Sequence, residues 1–342
     1  MLVHPLGAGR SPTDKLERKT AHDTVYFTPP IFGLALIWIF FRHTSYYNQF
    51  TYGLLNPLVQ IGDCGVDVFL FLSGFGLYFS YSKTCNIKEF YVKRFFRLLP
   101  SVIILILSFA VIDGCLNING GFKEIISLSY WFFAIYSKNW FIGAILLFYI
   151  AYPFIYSFLV KNSKITLIGS FIVAIIGILI IDLFEIKILK QLVVYFARIP
   201  VFVFGSVFAK NIHFFNHKYP IVFYVFLTLP LLYVLPKSFQ RLLYCFVTLG
   251  VVTYLPYMFK VLPLWINTYL KMIGKASLEF YLIHIYLFCN DILGEINDYC
   301  KSEILTVIIV LGIVSILAVL CNKIISMIMR LLINEKKIRR TE

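Results

Sequence analysis

Apolar stretches of about twenty residues recur along the whole chain, and a helix of that length crosses the hydrocarbon core of a bilayer. Hydrophobic residues make up 60% of the 342 positions and charged residues only 14%. Soluble domains contain about 25% charged residues. The composition therefore excludes a soluble enzyme, a disordered chain and a nucleic-acid-binding protein. It predicts an all-α fold, that of a polytopic integral membrane protein.

Ten stretches are predicted to span the membrane as helices, with both termini in the cytoplasm. Their bounds are 25–43, 61–82, 98–116, 136–160, 165–184, 191–210, 219–235, 241–262, 276–294 and 304–329. The first span is weak because Pro29 and Pro30 leave only Ile31 to Phe41 uninterrupted. A further apolar segment, 124–135, is too short to cross and is expected to lie in the membrane interface.

The distribution of basic residues predicts the orientation, because Lys and Arg concentrate in cytoplasmic loops. With the N-terminus inside, the inner segments hold 21 Lys and Arg and the outer segments hold 8. A polar tail, 1–24, and a basic tail, 330–342, then flank one membrane domain, 25–329. The same bias explains the net charge of +14 without a polyanion partner. The seven cysteines show no paired short spacing, so neither a metal site nor a disulfide framework is predicted.

Ionisable residues at membrane depth are costly and therefore mark candidate functional sites. The predicted spans contain several of them: His43, Asp67, Arg198, Glu279 and His284. His43 ends the first span, and its imidazole is suited to act as a general base near neutral pH. A solvated histidine at the membrane interface is the alternative. His284 lies deeper in its helix and needs a hydrogen-bonding partner.

A basic cluster precedes the third span in the string KEFYVKRFFRLLPS. Arg94 and Arg97 are three residues apart, so on a helix they share one face. Guanidinium groups bind phosphate through paired hydrogen bonds, and a phosphate clamp is one interpretation. The other is the ordinary basic rim of the inner membrane face, to which Lys88 is expected to belong. The spacing alone does not decide between them.

Six segments, taken in order, resemble the membrane acyltransferase-3 family of polysaccharide and peptidoglycan O-acetyltransferases. They are His43, GVDVFLFLSGFGLYFSYSK at 65–83, FYVKRFFRLLP at 90–100, NWFIGAILLFYIAYP at 139–153, ARIPVFVFG at 197–205 and ASLEFYLIHI at 276–285. The lead-in before Arg42 departs from the family. Where the family usually has an arginine, eleven residues before the histidine, this chain has Phe32.

The resemblance implies transfer of an acyl group, usually acetyl, from cytoplasmic acyl-CoA to a hydroxyl of a cell-surface glycan or its lipid-linked precursor. Acyl-CoA is then a donor substrate, with no permanently bound cofactor, and membrane lipid is a further partner. By position, His43 is implied to be catalytic, while Arg94 and Arg97 are implied to bind the CoA end. Four further residues are expected to line the cavity: Trp140, Arg198, Tyr281 and His284. The expected location is the cell membrane, in bacteria the inner membrane.

Two other functions share this composition. A transporter or flippase for a lipid-linked glycan would also carry intramembrane charges, but it gives no reason for an arginine pair together with a catalytic histidine. A structural scaffold for glycan-assembly enzymes is the third interpretation. The sequence predicts neither the acceptor sugar nor the oligomeric state.

Overall fold

The computed structural model describes residues 12–112, 140–184, 192–211, 235, 237–289 and 291–338. Within these ranges the chain forms helices joined by short turns, with no strand, which confirms the all-α prediction. The helices are α1 Pro12–Asn48, α2 Asn56–Gln60, α3 Cys64–Ser82, α4 Ile87–Ile112, α5 Trp140–Lys161, α6 Ser163–Leu183, α7 Leu192–Phe196, α8 Ile199–Lys210, α9 Lys237–Val261, α10 Leu264–Lys275, α11 Ser277–Cys289, α12 Ile292–Cys300 and α13 Glu303–Ile338.

Six helical segments of the described residues are long and apolar enough to cross a membrane. They are Gly53–Ser82, Trp140–Lys161, Ser163–Leu183, Leu192–Lys210, Phe239–Val261 and Glu303–Leu331. Each coincides with one of the ten predicted spans, and the chain is a multi-pass membrane protein. Of the other four predictions, 25–43 falls on α1, 98–116 falls on α4 as far as Ile112, beyond which it lies outside the described residues, and 276–294 is divided between α11 and α12. The span predicted at 219–235 and the interfacial segment at 124–135 lie outside the described residues, apart from residue 235.

The first helix is much longer than the predicted span 25–43. It begins at Pro12, within the predicted polar tail, and continues to Asn48 through Pro29 and Pro30. A proline inside a helix removes one backbone hydrogen bond and usually kinks or ends the helix. Tertiary packing overrides that preference here, because a second helix lies against α1 at the proline pair.

That second helix is α10, in a segment that the sequence assigned to a loop between spans. Gly274 of α10 packs directly on the carbonyl oxygen of Pro29, and Gly33 of α1 packs on that of Leu270. A Cβ atom at either glycine would overlap the facing backbone. With 12 residues α10 is too short to cross a bilayer, so a search for long apolar stretches does not find it.

The pair α3 and α8 forms another close contact of the bundle. Gly74 of α3 packs on the carbonyl oxygen of Phe202, and Gly205 of α8 packs on that of Phe71, leaving no space for a Cβ atom. Ser206 donates a hydrogen bond of 2.8 Å to the carbonyl of Gly74. Small residues at helix contacts are the usual means of tight packing in membranes.

The predicted span 191–210 is one segment in the sequence but two helices, α7 and α8, in the structure. The break lies at Ala197 and Arg198, and Pro200 occupies the first turn of α8. Proline is favoured at that position because its missing N–H has no partner in the first turn of a helix. The break leaves the buried side chain of Arg198 between two helix ends.

Candidate active site

Two histidines that are 241 positions apart meet at one end of α1. His43 Nδ1 lies 3.0 Å from His284 Nε2, and the two rings are stacked with their centroids 5.2 Å apart. His284, which is fully buried in α11, places its Nδ1 atom 2.9 Å from the backbone carbonyl oxygen of Phe280. His284 therefore has the partner that its depth in the helix requires.

These contacts define which nitrogen atoms carry the protons when both rings are neutral. A carbonyl oxygen only accepts, so Nδ1 of His284 must be the N–H donor to Phe280. The Nε2 atom of His284 then has a lone pair, and Nδ1–H of His43 donates to it. The proton of His43 is consequently on Nδ1, which leaves a lone pair on Nε2 of His43, for which the described residues provide no hydrogen-bond donor. This assignment follows from the hydrogen-bond network.

Aromatic rings hold the histidine pair in place. Phe40 packs against His284 at a centroid distance of 6.3 Å, and Phe288 lies 5.6 Å from the same ring. Tyr47 meets the His43 ring edge-on at 5.8 Å and stacks on Phe288. The His43 ring is thereby restricted on several sides, as a side chain that must present one nitrogen atom in a fixed direction would be.

A cavity of about 630 Å³ lies in the bundle beside the histidine pair. The helices α1, α3, α4, α5, α10, α11 and α13 contribute to its lining. Along α1 the lining ends at Ile39, and along α11 it includes Tyr281. These residues are four and three positions before His43 and His284, so the cavity stops about one helical turn from the histidine pair.

Four cations line the opposite, basic end of the cavity: Arg94, Arg97, Lys275 and Arg330. The Nη2 atom of Arg94 donates a hydrogen bond to Ser80 Oγ, whereas its buried Nε atom has no hydrogen-bond partner among the residues that the structure describes. Arg97 is exposed at the rim of the cavity. A buried donor without a partner is costly, and an anionic oxygen in the cavity would satisfy the Nε atom of Arg94.

The other cations of the predicted basic cluster lie elsewhere. Lys88 is exposed and does not line the cavity, as expected for the basic rim. Lys93 forms an ion pair with Glu89, one turn away on α4. The structure therefore separates the two arginines that face the cavity from the lysines that face away from it.

A polar group lies in the lining between the basic end and the histidine pair. The Glu279 side chain, only 2% exposed, accepts a hydrogen bond of 2.6 Å from Ser101 Oγ and one of 3.3 Å from Asn322 Nδ2. All three residues line the cavity. The sequence had marked Glu279 only as an ionisable residue at membrane depth. Ser101 follows Arg97 by four residues, so the helical spacing of α4 could have indicated that the two share a face.

A row of aromatic rings connects the cavity wall to the histidines. Phe32 stacks on Phe69 at 4.5 Å, and Phe69 lies 6.1 Å from Phe141. Phe141 lies 5.3 Å from Tyr281, whose ring is 5.6 Å from that of His284. Eleven residues before His43, this chain thus has an apolar ring, Phe32, in the wall of the cavity.

Two predicted lining residues, Trp140 and Arg198, belong to a separate buried cluster. Arg198 Nε lies 3.6 Å from Asp67 Oδ1, and both side chains are almost completely buried. The guanidinium group also lies over the Trp140 ring at 4.9 Å and donates to the carbonyl of Val194. Removing one partner of such a buried ion pair strongly destabilises a protein, because the other charge stays buried without compensation. The cluster fastens the break between α7 and α8 to α3.

The predicted site residues thus lie in three places, of which the cluster of Trp140 and Arg198 is one. Arg94, Arg97 and Tyr281 line the cavity, while His43 and His284 form a hydrogen-bonded pair at its end. In the part of the chain that the structure describes, no group of three or more His, Cys, Asp and Glu side chains is arranged to hold a metal ion.

A family model described as an acyltransferase domain matches residues 33–323. The chain belongs to the acyltransferase-3 family. No curated protein and no solved structure matches it significantly. The matched region of this membrane acyltransferase contains both histidines, both arginines and the whole Glu279 group. It begins one residue after Phe32 and ends before Arg330, so these two lining residues lie just outside it.

Proposed function

We propose that this acyltransferase transfers an acyl group, with acetyl the expected one, from cytoplasmic acyl-CoA to a hydroxyl of a cell-surface glycan or its lipid-linked precursor. One observation carries the proposal. A single cavity extends from four cations to a wall of aromatic rings, and that wall touches a histidine pair with one free basic nitrogen. Cations at one end and a base at the other match the two ends of an acyl-CoA, which has phosphates at one end and an acyl thioester at the other.

The basic end supplies the site for the phosphates of CoA. Arg94 and Arg97 face the cavity from one side of α4, and Lys275 and Arg330 add two further positive charges. The unsatisfied Nε atom of Arg94 offers a donor that a phosphate oxygen can use. With the orientation predicted from the basic residues, this end faces the cytoplasm, where acyl-CoA is available.

The histidine pair supplies the base. Nε2 of His43 accepts the proton of the acceptor hydroxyl while the hydroxyl oxygen attacks the thioester carbon. The positive charge that develops on His43 is stabilised by the hydrogen bond from its Nδ1–H to His284. The carbon–sulfur bond then breaks, and the CoA thiolate takes the proton from His43. Because the cavity ends about one turn short of the histidines, side chains at Ile39 and Tyr281 must move for the thioester to reach them.

The polar segment after His43 is the proposed acceptor side. Tyr46 and Tyr47 are exposed there, and Asn48 donates a hydrogen bond of 3.0 Å to Asp291 Oδ1. Exposed tyrosine rings beside amide and carboxylate groups suit the apolar faces and hydroxyl groups of a sugar ring. With the predicted orientation this segment lies on the outer side of the cell membrane.

Release of CoA from acetyl-CoA by the purified protein tests this function against the transporter and scaffold interpretations. We expect CoA release that depends on an added extract of membrane glycolipids. An Arg94→Ala/Arg97→Ala double variant should require a much higher acetyl-CoA concentration for the same rate. A protein that neither binds CoA nor releases it from acetyl-CoA would contradict the proposal and would favour a transporter.

A further inference from the structure

Glu279 is a buried carboxylate whose hydrogen-bond partners are both neutral. Ser101 Oγ and Asn322 Nδ2 each donate one hydrogen bond to it, and no cation of the described residues forms an ion pair with it. Burying a carboxylate away from water is costly unless hydrogen bonds or a cation compensate for the lost hydration. A carboxylate can accept about four hydrogen bonds, so two partners leave part of its capacity unused.

Glu279, Ser101 and Asn322 all belong to the lining of the cavity, so the remaining acceptor capacity is available to a ligand bound there. Arg94, Arg97 and Ser101 follow one another on one stripe of α4, at spacings of three and four residues. Ser101 lies about 6 Å further along that helix than Arg97. A ligand that extends from the arginines toward the histidines therefore passes the carboxylate of Glu279.

Position along α11 places Glu279 at a defined depth below the histidine pair. It precedes His284 by five residues, which corresponds to a rise of about 7.5 Å along the helix. In an acyl-CoA, four bonds separate the thioester carbon from the first amide nitrogen of the pantetheine arm. An extended chain spans about 3.5 Å for every three bonds, so this link measures about 5 Å. With the thioester at the histidine pair, that amide N–H lies within about 3 Å of the level of Glu279 along the helix.

We propose that Glu279, held in place by Ser101 and Asn322, forms a subsite that accepts hydrogen bonds from the amide N–H groups of the donor's pantetheine arm. The subsite recognises the neutral part of the donor, whereas the arginines recognise its phosphates. This inference rests on the proposed function, since it concerns the same cavity and the same donor. Glu279 is a positioning and specificity residue in this account and takes no part in proton transfer.

Binding of two ligands to the purified full-length protein tests the subsite without any need for turnover. CoA contains both the phosphates and the pantetheine arm, whereas adenosine 3′,5′-bisphosphate contains phosphates and lacks the arm. We expect Glu279→Ala to weaken CoA binding about ten- to a hundredfold, the usual effect of losing a hydrogen bond to a charged group. Binding of the bisphosphate should not weaken. Arg97→Ala should weaken the binding of both ligands.

The matched control is Glu89→Ala, which removes the same side chain from a partly exposed position of α4 outside the cavity. It should leave both ligands unaffected. Retained binding of the bisphosphate shows that the Glu279→Ala protein is folded. If that variant does not fold, Glu279→Gln serves instead, because it keeps the shape of the side chain and removes its charge. We expect it to weaken CoA binding about tenfold, the lower end of the range.

If Glu279 acted only through its negative charge, its removal would change the affinity for CoA in the opposite direction. Removing a negative charge from a cavity that binds phosphate would then tighten the binding of both ligands. That result, or an unchanged affinity for CoA in both Glu279 variants, would overturn the subsite while leaving the proposed function intact. Failure of the wild-type protein to bind CoA at all would overturn both.

Discussion

Replacing His284 tests whether the histidine pair is a catalytic arrangement or only a packing contact. His284→Phe keeps an aromatic ring within the cluster of Phe40 and Phe288 but removes the Nε2 acceptor that lies 3.0 Å from His43 Nδ1. His284→Gln is the matched variant, because its side-chain oxygen can accept the same hydrogen bond. The two variants therefore differ in whether His43 Nδ1–H retains a partner.

The size of the effect follows from the change of charge on His43 during the reaction. Before proton transfer, its hydrogen bond to His284 joins two neutral rings and contributes about 1 kcal/mol, whereas a hydrogen bond to a charged group contributes about 1.5–3 kcal/mol. The difference of about 0.5–2 kcal/mol lowers kcat by about two- to thirtyfold. Loss of the fixed orientation of the His43 ring should lower kcat further. The KM for acetyl-CoA should stay near its wild-type value.

Initial rates of CoA release at saturating acetyl-CoA, measured per folded molecule, give kcat for each variant. We expect His284→Phe to fall clearly below wild type and His284→Gln to recover most of the loss. Adding His284→Phe to His43→Ala should cost almost nothing more, because residues that act as a unit are non-additive. A wild-type kcat in His284→Phe, or equal loss in the Phe and Gln variants, would refute the role of His284 as the partner of the base.

The remaining predictions concern the donor end, the orientation and the acyl group. Arg97→Ala should raise the apparent KM for acetyl-CoA about ten- to a hundredfold, while Lys88→Ala should leave it within a factor of two; equal small effects would favour the basic-rim interpretation. Single cysteines in a cysteine-free background should react with an impermeant external reagent at Leu54, which is fully exposed in the structure, and be shielded at Lys88. The reverse pattern would remove the cytoplasmic donor site. Phe141→Ala should improve the use of butyryl-CoA relative to acetyl-CoA about tenfold, since each of the two added methylenes contributes about 0.8 kcal/mol when buried; Phe154→Ala, at an exposed position of the same helix, should not change this ratio.

The sequence was sufficient for the fold class because a span leaves a local signal of about twenty apolar residues. Six spans of the structure coincide with that signal. The same signal did not predict the length of α1 or the presence of α10, because these depend on an interaction between distant segments of the chain. The packing of Gly274 on the carbonyl of Pro29, and of Gly33 on that of Leu270, places α10 against α1 at the proline pair.

The candidate site was predictable only where its residues lie in a recognisable local string. His43, Arg94 and Arg97 were found from their local strings and from the family resemblance, and the two arginines do face one cavity. The contact between His43 and His284 joins residues 241 positions apart, which no local spacing can show. The Glu279 group likewise depends on α4, α11 and α13 meeting at one level of the bundle.

Transfer of a radiolabelled acetyl group from acetyl-CoA to the glycan fraction of membranes tests the central claim most directly. Wild-type protein and a correctly inserted His43→Ala variant should bind CoA with similar affinity, because the arginines lie at the opposite end of the cavity. The wild-type protein should label the glycan, and the variant should lose about 100- to 10,000-fold in rate, as expected for loss of a general base. Labelling of the glycan by His43→Ala protein at the wild-type rate would contradict the account.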